Sequence, residues 1–321
     1  MKKVKFLLAT ISFISFIGLT NSCSQSSGAS VQSSFEATTP CDETVKKMLG
    51  IPAGTKCEMM RWKLTFYRDS QKLTPASFSL VCEYGMPKQG TRGFMEGANK
   101  IELKGKWTTG KDIRKNNRAD VYTLMADSRG ISLSFLQPDP NLLHLLNEDK
   151  SLVKGNGAWS YTFNRTEPIR RSLNNFTPRA ISQTVVTGGS DTIGIFEGRT
   201  PCNSALTELK NISENGCQII KCRLILFQDM NTHTPSTFLL QTIYVGKGDT
   251  KYGTTGKWKL MQGTVDDPAA VVYQLEPDTG KSPAPLLLLK ADDNILFFID
   301  NDTHLMVGNN YCSYTLNRTK K

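Results

Sequence analysis

The cysteines hold most of the chemistry open to this chain. There are eight, and seven of them (Cys41, Cys57, Cys82, Cys202, Cys217, Cys222 and Cys312) lie beyond the first thirty residues. Cys41 and Cys57 frame a loop that ends Cys57-Glu58-Met59-Met60, and Cys202 and Cys217 frame one that ends Cys217-Gln218-Ile219-Ile220. Thiolates and thioethers are soft ligands suited to Cu(I), which makes Cys41, Cys57 and Met59 the candidate metal ligands. An exposed cysteine pair can also act as a redox sensor. Spacing argues for something plainer. Fifteen residues separate the first pair and fourteen the second, rather than two, and no methionine follows Cys217 directly. The reading preferred here is two local structural disulfides, Cys41–Cys57 and Cys202–Cys217. Cys82 lies in a strand-like run and reads as a buried, inert thiol.

Other chemical groups are sparse. The three histidines, His144, His233 and His304, stand in no metal-ligand spacing. No glycine-rich phosphate loop is present. Asp292-Asp293, Asp300 and Asp302 sit in turn-like segments without the regular spacing of a calcium loop. An enzyme is therefore not expected. The net charge is +10, but Lys2, Lys3 and Lys5 belong to a leader, and no dense basic block is interleaved with aromatics. Nucleic acid is not an expected partner.

The elements that position the cysteines come in two copies. Thr39-Pro40-Cys41 recurs as Thr200-Pro201-Cys202, and Phe35-Glu36 as Phe196-Glu197. Gly105-Lys106-Trp107 recurs as Gly256-Lys257-Trp258, and Val121-Tyr122-Thr123-Leu124 as Val272-Tyr273-Gln274-Leu275. The closing words are Tyr161-Thr162-Phe163-Asn164-Arg165-Thr166 and Tyr314-Thr315-Leu316-Asn317-Arg318-Thr319. This places one domain at 35–166 and another at 190–321, joined by a linker at 167–189. The Asn-Arg-Thr sequons at Asn164 and Asn317 read as strand ends.

Within each copy, short alternating runs recur about every ten residues between Asp/Asn/Gly/Lys turns. The fold class expected is all-β, with each copy an antiparallel up-and-down sheet closed into a small barrel, because open edges are costly. One short helix per copy is expected inside the Cys-to-Cys loop, at Glu43–Leu49 and Ser204–Lys210, capped by Asp42 and Asn203.

The copies differ at two positions together: Trp62 corresponds to Cys222, and Trp159 to Cys312. Parity places both tryptophans in the core, on a first and a last strand. Touching positions would explain the joint change and predict a third disulfide, Cys222–Cys312. Such a bond requires Cα atoms within about 7 Å. It would tie a loop of ~90 residues, on the order of 4 kcal/mol in the chain-entropy model.

The N-terminus carries an address. Lys2, Lys3 and Lys5 precede an apolar run from Phe6 to Leu19, too short to span a bilayer, and then Thr20-Asn21-Ser22-Cys23. This resembles the bacterial lipobox. The resemblance implies a signal peptide at 1–22, acylation of Cys23 (with palmitate among the attached chains) and anchoring by lipid alone. Residues 23–34, rich in Ser, Gly and Gln, read as a flexible tether.

The order Thr-Pro-Cys, a second cysteine, apolar residues (Met60, Leu64 and Phe66; Ile220, Leu224 and Leu226), Gly-x-Trp, Val-Tyr-x-Leu and a closing Tyr-x-Leu-x-Arg resembles the N-terminal domain of the NlpE family, most closely over 193–321. Those are outer-membrane lipoproteins with a small lipocalin-like barrel. The resemblance implies a binding or sensing role in copper homeostasis and envelope stress, exercised through an envelope protein partner or a small ligand. The family's Cys-x-x-Cys motif is replaced here by the widely spaced pairs. Two alternatives stand beside it: a structural or adhesion lipoprotein with packed barrels, and a lipocalin-type carrier. A carrier would use Leu286–Leu289, Phe297, Phe298, Tyr311 and Tyr314 to line a cavity.

Overall fold

The computed structural model describes residues 31–111, 119–128, 130–171, 176–181, 189–278 and 284–320. The expected leader, Cys23 and the tether up to residue 30 lie outside them. The first barrel is built from β1 (Val31–Pro40), β2 (Met59–Arg68), β3 (Pro75–Gly85), β4 (Asn99–Lys111), β5 (Asp120–Ala126), β6 (Ser132–Asp139), β7 (Leu142–Leu146) and β8 (Thr162–Arg165). Each strand pairs antiparallel with the next, and β8 returns to β1 with Phe35 opposite Arg165. A two-residue strand, β9 (Arg179–Ala180), adds to the edge of the second unit. The second barrel runs β10 (Ser190–Thr200), β11 (Ile219–Asp229), β12 (Pro235–Val245), β13 (Lys251–Gln262), β14 (Val271–Pro277), β15 (Leu286–Lys290), β16 (Ile295–Ile299) and β17 (Thr315–Lys320). It closes where β17 meets β10, with Phe196 opposite Arg318. The expected pair of closed antiparallel barrels is what the chain forms.

The repeated words have local causes. Gly105 and Gly256 let β5 and β14 pass so close that a Cβ would strike the carbonyl oxygens of Met125 and Glu276. The tryptophan two residues on plugs one barrel end: Trp107 Nε1 donates to Tyr67 O at 3.0 Å and Trp258 Nε1 to Phe227 O at 2.7 Å. At the other end, α1 (Glu43–Met48) and α2 (Ser204–Thr207, continued by a 3-10 turn) act as lids. Helices this short are not stable on propensity alone. Asp42 caps the first by accepting from Val45 N, and Asn203 the second by accepting from Leu206 N, both at 3.0 Å. Val45, Leu49, Leu206 and Leu209 then seal the cores beneath them. In the closing motif, Tyr161 Oη donates to Asp42 Oδ2 at 2.7 Å, so the start of the last strand latches the first lid.

Two sequence expectations need correction. β1 begins at Val31, inside the stretch read as tether, and it inserts between β2 and β8. Trp62 therefore lies on the second strand and packs on Phe163, ring centroids 5.6 Å apart. Trp159 lies before β8 in irregular backbone, where strand parity no longer applies, and it is only half-buried. The counterparts Cys222 and Cys312 are buried free thiols, so the third disulfide is not formed.

The barrels pack on each other through a third apolar cluster. It takes Leu136, Leu142, Leu146 and Leu152 from one, and Val272, Leu287, Ile295, Phe297 and Leu305 among others from its partner. This explains the unbroken apolar runs at 286–289 and 295–299 and the four leucines around His144 at 142–146. Leu286 and Leu288 enter the barrel core while Leu287 enters the inter-barrel layer, so both faces of the strand are buried. The linker is fastened too: Arg171 pairs with buried Asp139 and donates to Leu305 O at 3.0 Å.

Candidate functional site

The two rim disulfides, Cys41–Cys57 and Cys202–Cys217, are formed, with Cα atoms 5.6 and 6.1 Å apart. Each bounds its lid loop. Cys41 is buried while Cys57, Cys202 and Cys217 are half-buried. Met59 is buried, 1 % exposed. In the oxidised pair no thiolate remains to bind a metal, so the Cu(I) set of Cys41, Cys57 and Met59 requires prior reduction. Among the described residues, no cluster of three His, Cys, Asp or Glu side chains is placed to hold a metal ion.

The other described thiols, Cys82, Cys222 and Cys312, are buried and free. Burial pushes Cys222 and Cys312 up to about 12, and burial raises Cys82 as well. His144 is fully buried, beside the inter-barrel layer. It bonds Thr162 Oγ1 at 3.0 Å and Val153 O at 2.9 Å, with Phe297 against its ring. Burial lowers it to about 4.

The barrels meet across a pseudo-twofold axis. Ser160 Oγ lies 2.6 Å from Ser313 Oγ, and Thr162 Oγ1 lies 3.0 Å from Thr315 Oγ1, each residue against its own repeat counterpart. Asn164 accepts from Gly308 N at 2.7 Å and donates to Asn309 O at 2.9 Å; Asn317 accepts from Gly155 N at 2.9 Å and donates to Asn156 O at 3.2 Å. The paired sequon asparagines are thus reciprocal clamps, 3 % and 0 % exposed. The repeated Asn was visible in sequence; the repeated glycine that receives it (Gly155 and Gly308) was the signal passed over.

Beside this interface lies a cleft of about 820 Å³ that takes in the Cys41–Cys57 rim. Pro40, the Cys41–Cys57 disulfide and Asp42 form one wall, and Arg199 and Lys221 of the second barrel form the other. Trp159 and Tyr311 project from the interface loops, with the Arg199 guanidinium 5.2 Å from the Trp159 ring and that of Arg92 5.0 Å from Tyr311. Trp159 Nε1 is buried and has no hydrogen-bond partner among the described residues. Tyr311, considered in sequence as a lumen residue, stands in this cleft, and Phe297 stands in the inter-barrel layer. Sequence reading missed Arg199, Lys221 and the placement of Trp159, because the cleft exists only once the barrels pair.

Comparison of the chain with protein-family models, with curated proteins and with solved structures finds no match.

Proposed function

We propose that this is a lipid-anchored lipoprotein of the bacterial envelope, held to the outer membrane through Cys23, that binds or senses on the outside of its barrels and catalyses no reaction. The observation that carries the reading is the filled interior of both barrels. Phe35, Phe66, Trp107, Phe135 and Phe163 occupy the first, all at most 2 % exposed, and Leu224, Leu226, Phe238 and Trp258 the second, at most 4 %. An eight-stranded barrel is just narrow enough to fill with its own side chains. Both are closed by a lid, and a cleft of about 820 Å³ lies between them, next to the Cys41–Cys57 rim. Copper homeostasis and envelope stress, implied by the NlpE-like order of motifs, supply the biological setting for such a module.

Two measurements on the full-length protein test this. A fluorescent fatty-acid probe is expected to find no saturable site; one-to-one uptake per barrel would make the protein a lipocalin-type carrier instead. Cys23→Ala is expected to release the chain from the membrane fraction, and retention of that variant on membranes would remove the anchor.

A further inference from the structure

The aromatic pair in the cleft is not demanded by the fold. Trp159 corresponds in the repeat to Cys312, and Tyr311 corresponds to Ala158. Each barrel closes with a small residue where the other carries the ring, and the two rings come from non-equivalent positions to face one opening. The lining carries more cations than anions, with Lys88, Arg199 and Lys221 against Asp42 and Glu58. Among the described residues, Lys88, Arg92, Arg199 and Lys221 have no carboxylate partner. Of the two acids in the walls, Asp42 is held against the first lid by the Val45 amide and the Tyr161 hydroxyl, and Glu58 is exposed.

We propose that this cleft binds an acidic saccharide of two or three sugar units. The assignment rests on the exterior-binding reading given above and names its ligand class. The volume, about 820 Å³, suits a ligand of that size. Aromatic rings offer flat apolar faces to the C–H faces of pyranose rings. Asn156 and Gln89 line the same space with amides for further hydroxyls. Arg199, Lys221 and Lys88 supply charge-assisted hydrogen bonds to carboxylates or phosphates on the sugar. An acidic peptide fits less well. Both barrels are closed, so neither presents a free strand edge for a peptide to extend, and the opening is polar rather than a row of side-chain pockets.

The test is a titration of the full-length protein by calorimetry and by tryptophan fluorescence. The probes are trigalacturonate and a bisphosphorylated glucosamine disaccharide. Maltotriose, inorganic phosphate and pentaglutamate serve as comparators. Saturable binding of at least one acidic saccharide is expected, with maltotriose and inorganic phosphate each weaker by roughly tenfold or more. Tyr311→Ala places in the second repeat the residue that the first already carries, so its fold is retained. It is expected to weaken binding by roughly tenfold, and Arg199→Ala by a similar factor. The proposal is overturned if neither acidic saccharide binds, if Tyr311→Ala and Arg199→Ala bind as the parent does, if inorganic phosphate competes equally well, or if pentaglutamate alone binds. Any of these leaves the exterior-binding reading in place, since uptake of the fatty-acid probe is what removes that reading.

Discussion

Thr162 and Thr315 face each other with their hydroxyl oxygens 3.0 Å apart, each the repeat counterpart of the other. A residue meets its own counterpart only on a twofold axis, and Ser160 with Ser313 marks the same axis. The duplication therefore built one body from two barrels, and the cleft that carries the proposed function is a product of their pairing.

The asparagine clamps are expected to be the most sensitive points of that pairing. Asn164→Ala strands the half-buried Gly308 amide, and Asn317→Ala the buried Gly155 amide. Each is expected to cost about 1–3 kcal/mol in urea unfolding, the penalty of an orphaned buried polar group. The double variant is expected to fall short of additivity, because both clamps serve one interface. Losses below ~0.5 kcal/mol in both single variants would mean that the clamps do not hold the barrels.

His144 makes the interface acid-sensitive. Burial depresses it from 6.5 to about 4, so the folded state holds a neutral ring that the unfolded chain protonates more readily. Stability from this group is full above pH 6.5, falls as pH drops from 6.5 toward 4, and levels off below that. The total is roughly 3 kcal/mol. His144→Phe, which copies Phe297 of the second repeat, is expected to flatten the curve across that window. An unchanged pH profile in the variant would assign the acid sensitivity elsewhere.

Thiol chemistry separates the cysteines. With their pKa values pushed up by burial, Cys82, Cys222 and Cys312 are expected to ignore an aromatic disulfide reagent at pH 8 in the native protein. Denaturation without reductant is expected to release all three, with Cys23 blocked under the acylation proposed for it. A count of one would instead mean that Cys222 and Cys312 are joined.

The glycine of the Gly-x-Trp motif is expected to resist substitution. Gly105→Ala drives a Cβ into the Met125 carbonyl, and Gly256→Ala into that of Glu276. Each is expected to cost about 1–3 kcal/mol in thermal or urea unfolding, as strained insertion into a tight contact does. Full stability in either variant would show that the strands can move apart there.

Much of this architecture was readable in the chain before folding. The recurrence of Thr-Pro-Cys, Gly-x-Trp and the closing Tyr-Thr-x-Asn-Arg announces two like units, and alternation with turn spacing announces strands. The Asp42 and Asn203 caps and the local disulfides follow from short-range chemistry and were predictable for that reason. β1 was not. Its Val31-Gln32-Ser33-Ser34 start is polar enough to pass for tether, and only pairing with Arg68–Thr65 of β2 makes it a strand. Missing it moved Trp62 from the second strand to the first, and that error produced the Cys222–Cys312 bond. The cleft was out of reach for a deeper reason. Parity says which face of a strand a residue occupies, but Trp159 lies off the strand. Nothing local to Leu287, Leu289 or Asn164 tells that a second barrel lies outside.

The most direct test of the paired body is native-state hydrogen exchange at two backbone amides, Gly155 and Gly308. Both lie in irregular loops, where an amide without a partner exchanges freely, yet each donates to an asparagine of the opposite barrel. The account predicts that both are protected by on the order of 10³ or more, and together, as members of one cooperative unit. Exchange at open-loop rates while the barrel strands stay protected would mean that the barrels are independent and the cleft between them does not persist.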